Sequence, residues 1–151
     1  VSANATVSGG LSDLSPLTKY YFRLNAQNQF GTVIGQTLSF TTSGPVSPSA
    51  PTANTSAATN VTNNAARLNG RINPGSAETT YWFEYSSDSL LGSLIGSGTA
   101  RETVASGTSN VSVSANISGL QKDSTYYYRL VARNSEGTVR GDIVSFKTKN
   151  N

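Results

Sequence analysis

The acids of this chain are Asp13, Glu78, Glu84, Asp88, Glu102, Asp123, Glu136 and Asp142. They are dispersed, without the alternating Asp/Asn loop of a calcium site, and sequence separation alone offers no carboxylate pair for glycoside chemistry. The chain has no Cys, no His and no Met, which removes thiolate nucleophiles, imidazole bases, disulfides and zinc fingers. Its 23 Ser and 18 Thr hydroxyls have no imidazole to activate them. The expectation is therefore a protein that is not an enzyme, with no metal and no cofactor. What remains is binding chemistry. Trp82, the one tryptophan, lies out of phase with Tyr81, Phe83 and Tyr85, so it and Glu84 point away from the side those three occupy. Tyr127 and Arg129 point outward in the same way. An aromatic, guanidinium and carboxylate set on one face suits cation–π contacts and cross-strand charge pairs. Such a set reads either as a self-contained ladder that stiffens a sheet or as a contact face for a sugar or a neighbouring subunit.

The elements that must carry these residues are legible as strands. Val111-Ser112-Val113-Ser114-Ala115-Asn116-Ile117 alternates apolar and polar residues, and so does Tyr126 to Arg133 if Tyr126, Tyr128, Leu130 and Ala132 face inward. Residues 66–72 and 81–85 add two strands, separated by the turn signal Asn73-Pro74-Gly75, and Ile143 to Phe146 adds a last one. No window shows a sustained i, i+3, i+4 apolar stripe, so helix should be near absent. Slid against itself by 106 positions, the sequence repeats: residues 1–42 match 107–148 without a gap at 18 of 42 positions. The stretch before the second copy, 52–106, has no counterpart before the first. Between them, 43–51 holds Pro45, Pro48 and Pro51 and reads as a short semi-rigid linker. The domain reading is 1–42, linker 43–51, and a complete module at 52–149.

Length and composition agree with small modules. The 151 residues suit two modules of under 100 residues each. Charged residues are only 13%, against roughly 25% in average globular chains, while Ser, Thr and 14 Asn total 55 residues. The net charge of +3 comes from scattered Lys and Arg with no basic run, so no nucleic acid partner is expected. Nothing approaches the ~20 apolar residues of a membrane helix, and no membrane insertion is expected. Starting at Val1 without a signal-peptide pattern, the chain reads as a processed product or a fragment.

The pattern Leu120-x5-Tyr126-x-Tyr128-Arg129-x-x-Ala132-x-Asn134-x-x-Gly137-x3-Gly141-x4-Phe146-x-Thr148 resembles the last three strands of a fibronectin type III module, and residues 1–42 resemble them again. The segment from Asn73-Pro74-Gly75 through Tyr85 is similar to the variant common in bacterial secreted and cell-surface proteins. The resemblance implies an all-β fibronectin type III, immunoglobulin-like β-sandwich, one complete module preceded by the last three strands of another. It also implies a tyrosine corner at Leu120 and Tyr126 and again at Leu14 and Tyr20. The family's usual tryptophan on the second strand is replaced by Leu68 or Ile72. Three strands divided between two sheets cannot bury a core, so Val7, Tyr20, Phe22, Leu24 and Phe40 form an apolar set that needs cover from a partner. That cover would come from neighbouring modules or from further copies of the chain by strand complementation. Arg140-Gly141-Asp142 spells the integrin-binding tripeptide, but Ile34-Gly35-Gln36 takes its place in the first copy, so the glycine belongs to a shared turn. Sequons stand at Asn4, Asn54, Asn60, Asn110 and Asn116. The functional expectation is a secreted or cell-surface, structural or adhesive segment of tandem modules, acting as spacer or filament subunit. Two rivals are a carbohydrate-binding accessory module of a secreted polysaccharide-degrading enzyme, with a glycan partner, and a host-cell adhesin acting through Arg140 to Asp142.

Overall fold

The computed structural model describes residues 5–151; Asn4 and its sequon lie outside them. The chain divides into two compact units, one running to Val46 and one spanning Ser47–Asn151. Strands and loops make up both, with no helix among the described residues.

In the first unit β1 (Lys19–Phe22) pairs antiparallel with β4 (Leu38–Thr41), and β2 (Asn25–Asn28) pairs with β3 (Gly31–Ile34). The second unit continues with β5 (Thr52–Thr59), β6 (Ala65–Asn73), β7 (Thr79–Ser86) and β8 (Glu102–Val104). It ends with β9 (Val111–Ser118), β10 (Thr125–Asn134), β11 (Gly137–Arg140) and β12 (Val144–Lys147). One of its sheets has the order β5-β6-β9. The other runs β11-β10-β7-β8, with β12 pairing the first half of β10. All the pairings are antiparallel, so each strand can present one face to the core and one to water.

The core forms where these two inner faces meet. Leu68 and Ile72 of β6 and Val113 and Ile117 of β9 meet Tyr81 and Phe83 of β7, Tyr126, Tyr128, Leu130 and Ala132 of β10, and Phe146 of β12. Every second residue contributes, as a period of two requires. Leu68 and Ile72 are fully buried and fill the second strand's place in the core. The Asn73-Pro74-Gly75 signal becomes a turn: Gly75 takes φ +68°, and its N–H donates to Asn73 Oδ1 at 3.0 Å.

A corner is built twice from the repeated residues. Tyr126 Oη accepts the Gln121 N–H at 2.9 Å, and Tyr20 Oη accepts the Ser15 N–H at 2.9 Å. Thr148 Oγ1 accepts from the Ser124 N–H and donates to the Gln121 carbonyl; Thr42 Oγ1 does the same with Thr18 and Ser15. Tyr126 stacks on Phe146 at 5.7 Å and Tyr20 on Phe40 at 5.9 Å. Identical side chains therefore impose the same hydrogen bonds in both units.

Two expectations need correcting. Residues 5–12, the counterpart of β9, form no strand. β9 exists by pairing along β6, which has no counterpart in the first unit, and Gly9-Gly10 replaces Ala115-Asn116, weakening strand preference further. The linker is also shorter than 43–51. Ser49 N–H donates to the Gly75 carbonyl at 2.8 Å, Asn134 Nδ2 donates to the Ser49 carbonyl, and Pro51 is buried, so the second half of the stretch belongs to the module.

Two core phenols make this fold sensitive to alkali. Burial pushes the Tyr128 hydroxyl, which donates to the Ser56 carbonyl, up to about 12. Tyr81 also reaches about 12, first through burial and then through its 2.6 Å hydrogen bond to Glu102 and that carboxylate's charge. In the unfolded chain both ionise near 10. The folded state favours the neutral phenols, so their contribution is complete below about pH 10 and disappears as pH rises toward about 12. Thermal unfolding should give a steady Tm from neutral pH to about 9 and a steep fall above about 10, with a shallower fall in Tyr128→Phe. A Tm unmoved between about pH 10 and about 12 would refute this.

Candidate interaction site

The outer face of the β7–β10 pair is set by register. Glu84 lies opposite Arg129, Trp82 opposite Val131, Thr80 opposite Arg133 and Ser86 opposite Tyr127, while Arg140 of β11 lies opposite Val131 on the other side. Period two thus places Trp82, Glu84, Tyr127 and Arg129 on the face away from the core. They do not form one cluster. Arg129 Nε meets Glu84 Oε2 at 2.7 Å, and Arg140 Nε stands 3.9 Å from the same oxygen. The Glu84 side chain is only 10% exposed. Tyr127 lies two positions along β10 from Arg129 and faces Ser86, outside this ion pair.

Trp82 is not the open ring that its parity led us to expect. It is 9% exposed, because the Arg101 guanidinium lies over it at 4.5 Å from the ring centroid. Its cation–π partner is thus Arg101, not Arg129. The loop between β7 and β8 makes this possible. Asp88 holds the loop's start by accepting from the Leu90 and Gly92 N–H groups at 3.0 and 2.8 Å. Those two bonds, Leu90's first, hold its carboxyl below the ordinary range. Further on, Ile95 N–H donates to the Tyr85 carbonyl and Thr99 N–H to the Phe83 carbonyl, while Thr99 Oγ1 accepts from the Phe83 N–H. The loop therefore runs along the part of β7 beyond β8 and delivers Arg101 onto Trp82. Gly98 takes φ +87°, and a Cβ there would sit 2.5 Å from the Phe83 carbonyl oxygen. Only glycine allows that approach.

Beside Trp82 a groove of about 410 Å³ is lined by Glu78, Thr80, Arg101, Arg133, Asn134 and Ser135. Sequence reasoning missed Arg101 and Arg140 as parts of this face. Arg101 sits in an irregular loop with no periodic signal, and the role of Arg140 needs the β10–β11 register. A flat aromatic platform for a sugar ring is not offered, since an arginine occupies the indole face.

The Arg140-Gly141-Asp142 tripeptide is held down at the β11 exit. Arg140 points to Glu84, Gly141 N–H donates to the Leu130 carbonyl at 2.8 Å, and a Cβ on Gly141 would lie 3.0 Å from Thr55 N. Gly35 N–H makes the matching bond to Leu24. In the first unit Val7, Phe22 and Leu24 are 64%, 47% and 59% exposed, whereas Tyr20 and Phe40 are half-buried because they stack on each other. Val7, Leu14, Phe22, Leu24 and Phe40 line an open groove of about 830 Å³. The described residues contain no group of three metal-ligating side chains, and no helix among them is long and apolar enough to cross a membrane.

Two variants test the outer face. Glu84→Gln leaves Arg129 and Arg140 without their shared carboxylate and should cost about 1–3 kcal/mol. Arg129→Ala should cost less in that background than alone, as measured in a double-mutant cycle; simple additivity would show the pair to be inert. Gly98→Ala should cost roughly 2 kcal/mol through the left-handed backbone and the carbonyl clash, lowering Tm by about 8 °C or more. The emission of Trp82 should move to longer wavelength as Arg101 lifts away.

No protein-family model matches the sequence, and no curated protein matches it. Among solved structures the chain is similar to the sensor domain of the anti-sigma factor RsgI4 of Pseudobacteroides cellulosolvens. Its short form shares 17% identity over 70% of this chain and 98% of that one, with a TM-score of 0.50. Its solution structure shares 17% over 65% and 74%, with a TM-score of 0.51. The FN1–FN3 domains of chicken CNTN1 align over 91% of this chain and 45% of theirs at 16% identity and a TM-score of 0.45. At 17% identity the likeness to the sensor domain is one of fold. Two antiparallel sheets in this strand order, pinned by a tyrosine corner, make that fold an all-β, fibronectin type III or immunoglobulin-like sandwich.

Proposed function

We propose that the chain is a non-catalytic structural segment of tandem fibronectin type III-like modules, working as a spacer on the outside of a bacterial cell or in a secreted protein. The observation that carries this reading is the 106-residue repeat, which builds the same corner with the same hydrogen bonds in both units. A chain without thiol or imidazole lacks the two side chains most readily used as nucleophile and general base at neutral pH. Its hydroxyl-rich, low-charge surface suits an exterior setting.

The open apolar face of the first unit favours a second reading, a filament subunit completed by strands from another chain. One observation weakens it: strands from 52–106 already cover the corner in 107–148 within the second unit, so they are engaged there, and a neighbouring module of similar pattern is the simpler source of cover for the first unit. Light scattering combined with electron micrographs tests the choice. The spacer reading expects discrete particles of low mass and no fibres; long polymers would overturn it in favour of the filament.

A further inference from the structure

The repeat carries more than its corner. Four residues of 107–148 meet partners in 47–106, and each recurs at the matching place in 1–42. Arg129 Nε lies 2.7 Å from Glu84 Oε2. Asn134 Nδ2 donates to the Ser49 and Pro74 carbonyls at 2.8 and 2.9 Å, which holds the Asn73-Pro74-Gly75 turn. Leu130 fills the space over Gly70, where a Cβ would come within 2.6 Å of Leu130 Cδ2. Gly141 leaves room for Thr55, whose Oγ1 accepts the Leu130 N–H at 3.1 Å. The counterparts of these four are Arg23, Asn28, Leu24 and Gly35.

In the first unit they stand without those partners. Arg23 makes no ion pair among the described residues, Leu24 is 59% exposed, and a Cβ on Gly35 would meet only Leu24. Asn28 Oδ1 accepts the Phe30 N–H at 2.8 Å, as Asn134 Oδ1 accepts that of Glu136, but its amide nitrogen donates to no group among the described residues. The backbone is interrupted at the same place. β10 runs unbroken from Thr125 to Asn134, with β7 paired along it from Tyr127 to Arg133. The first unit has no such neighbour, so β1 stops at Phe22 and β2 starts at Asn25, and the gap falls on Arg23 and Leu24. The corner needs none of the four, since its bonds come from Tyr20, Thr42 and nearby backbone.

We infer that the first unit is a receptor for a segment patterned on 47–106 and selects it through Arg23, Asn28, Leu24 and Gly35. The segment must offer a carboxylate to Arg23, a turn with two carbonyls to the Asn28 amide, a glycine beneath Leu24 and a threonine beside Gly35. This inference rests on the tandem-module reading and adds the chemistry of the cover. The second unit identifies the occupant, because there the same four residue types are engaged by that segment. A second intact copy does not serve, since its own 47–106 already covers 107–148. Phe22 stands where the Tyr128 hydroxyl donates to the Ser56 carbonyl, so the occupant needs no acceptor at that point. Once it is seated, β1 and β2 join into one strand, and residues 5–12 gain the ladder that β9 draws from β6.

The probe is a peptide of residues 47–106 of this sequence, added to the isotope-labelled full chain up to roughly millimolar concentration. Amide signals of Arg23, Leu24, Asn28 and Gly35 should shift, exchange should slow over 5–12 and 23–24, and the second unit should keep its spectrum. Glu84→Lys in the peptide should weaken binding about ten-fold or more. Arg23→Glu in the chain should restore it, a rescue that apolar contact alone does not give. Gly70→Val in the peptide should abolish binding by collision with Leu24. Light scattering of the chain alone tests the spacer reading, so a failure here is distinguishable from a failure there. No binding, binding indifferent to the charge reversal, or exchange of the peptide into the second unit instead would overturn the inference.

Discussion

A β-sheet with one apolar face is stable only when a second sheet covers it, and this requirement separates the two halves of the molecule. In the second unit, β5, β6 and β9 lie over Tyr126, Tyr128, Leu130 and Phe146, and those side chains are buried. In the first unit the same residue pattern builds the same corner, but Phe22 and Leu24, the equivalents of Tyr128 and Leu130, stand in solvent. Local hydrogen bonds therefore do not depend on the opposing sheet, whereas burial does. At ~25 cal/mol per Å² of apolar surface, the difference between the units is the hydrophobic term itself.

The same comparison shows what a corner can do alone. The Tyr20 and Thr42 bonds span contacts of 5 and 27 residues and fix the path of the chain between strands. They also bring Tyr20 against Phe40, which covers part of each ring. They do not order residues 5–12 into a strand, because a ladder needs a partner and β6 has no equivalent there. Secondary structure in this fold is thus a consequence of sheet assembly for edge strands and of local bonding for the corner.

Period two and the 106-residue repeat made the strands of the second unit, its core residues and its corner legible in the sequence, since each depends on alternation or on side chains that bond to nearby backbone. The face of Trp82 was legible in direction, but its cover was not. Arg101 reaches the indole through an irregular loop whose course depends on Gly98 approaching the Phe83 carbonyl, and no periodic signal encodes such a contact. The Glu84–Arg129 pair follows once β7 and β10 are in register; the strand sequences alone allow several registers. Three prolines suggest an extended spacer over 43–51, whereas Pro51 is buried against the module and Ser49 is bonded to its Gly75 turn.

The charges of the second unit are distributed unevenly between its sheets, and this follows from the burial pattern. The β7–β10 sheet holds a nearly buried carboxylate, Glu84, which two guanidinium groups approach. Without them that carboxylate would be desolvated and uncompensated, at a cost of several kcal/mol. The β5-β6-β9 sheet solves its outer face differently. Asn69 Nδ2 donates to the Ala57 carbonyl and Thr59 Oγ1, and Arg67 donates to Ser114 Oγ, so short amide and hydroxyl groups carry most of the cross-strand contacts. Short side chains lose less rotamer entropy on ordering than Lys or Glu do, which lets a flat polar face stay ordered with few ions. The consequence is a sandwich with one ion-paired face and one whose guanidinium groups, Arg67 and Arg71, lie beside the hydroxyls of β9 with no carboxylate partner among the described residues.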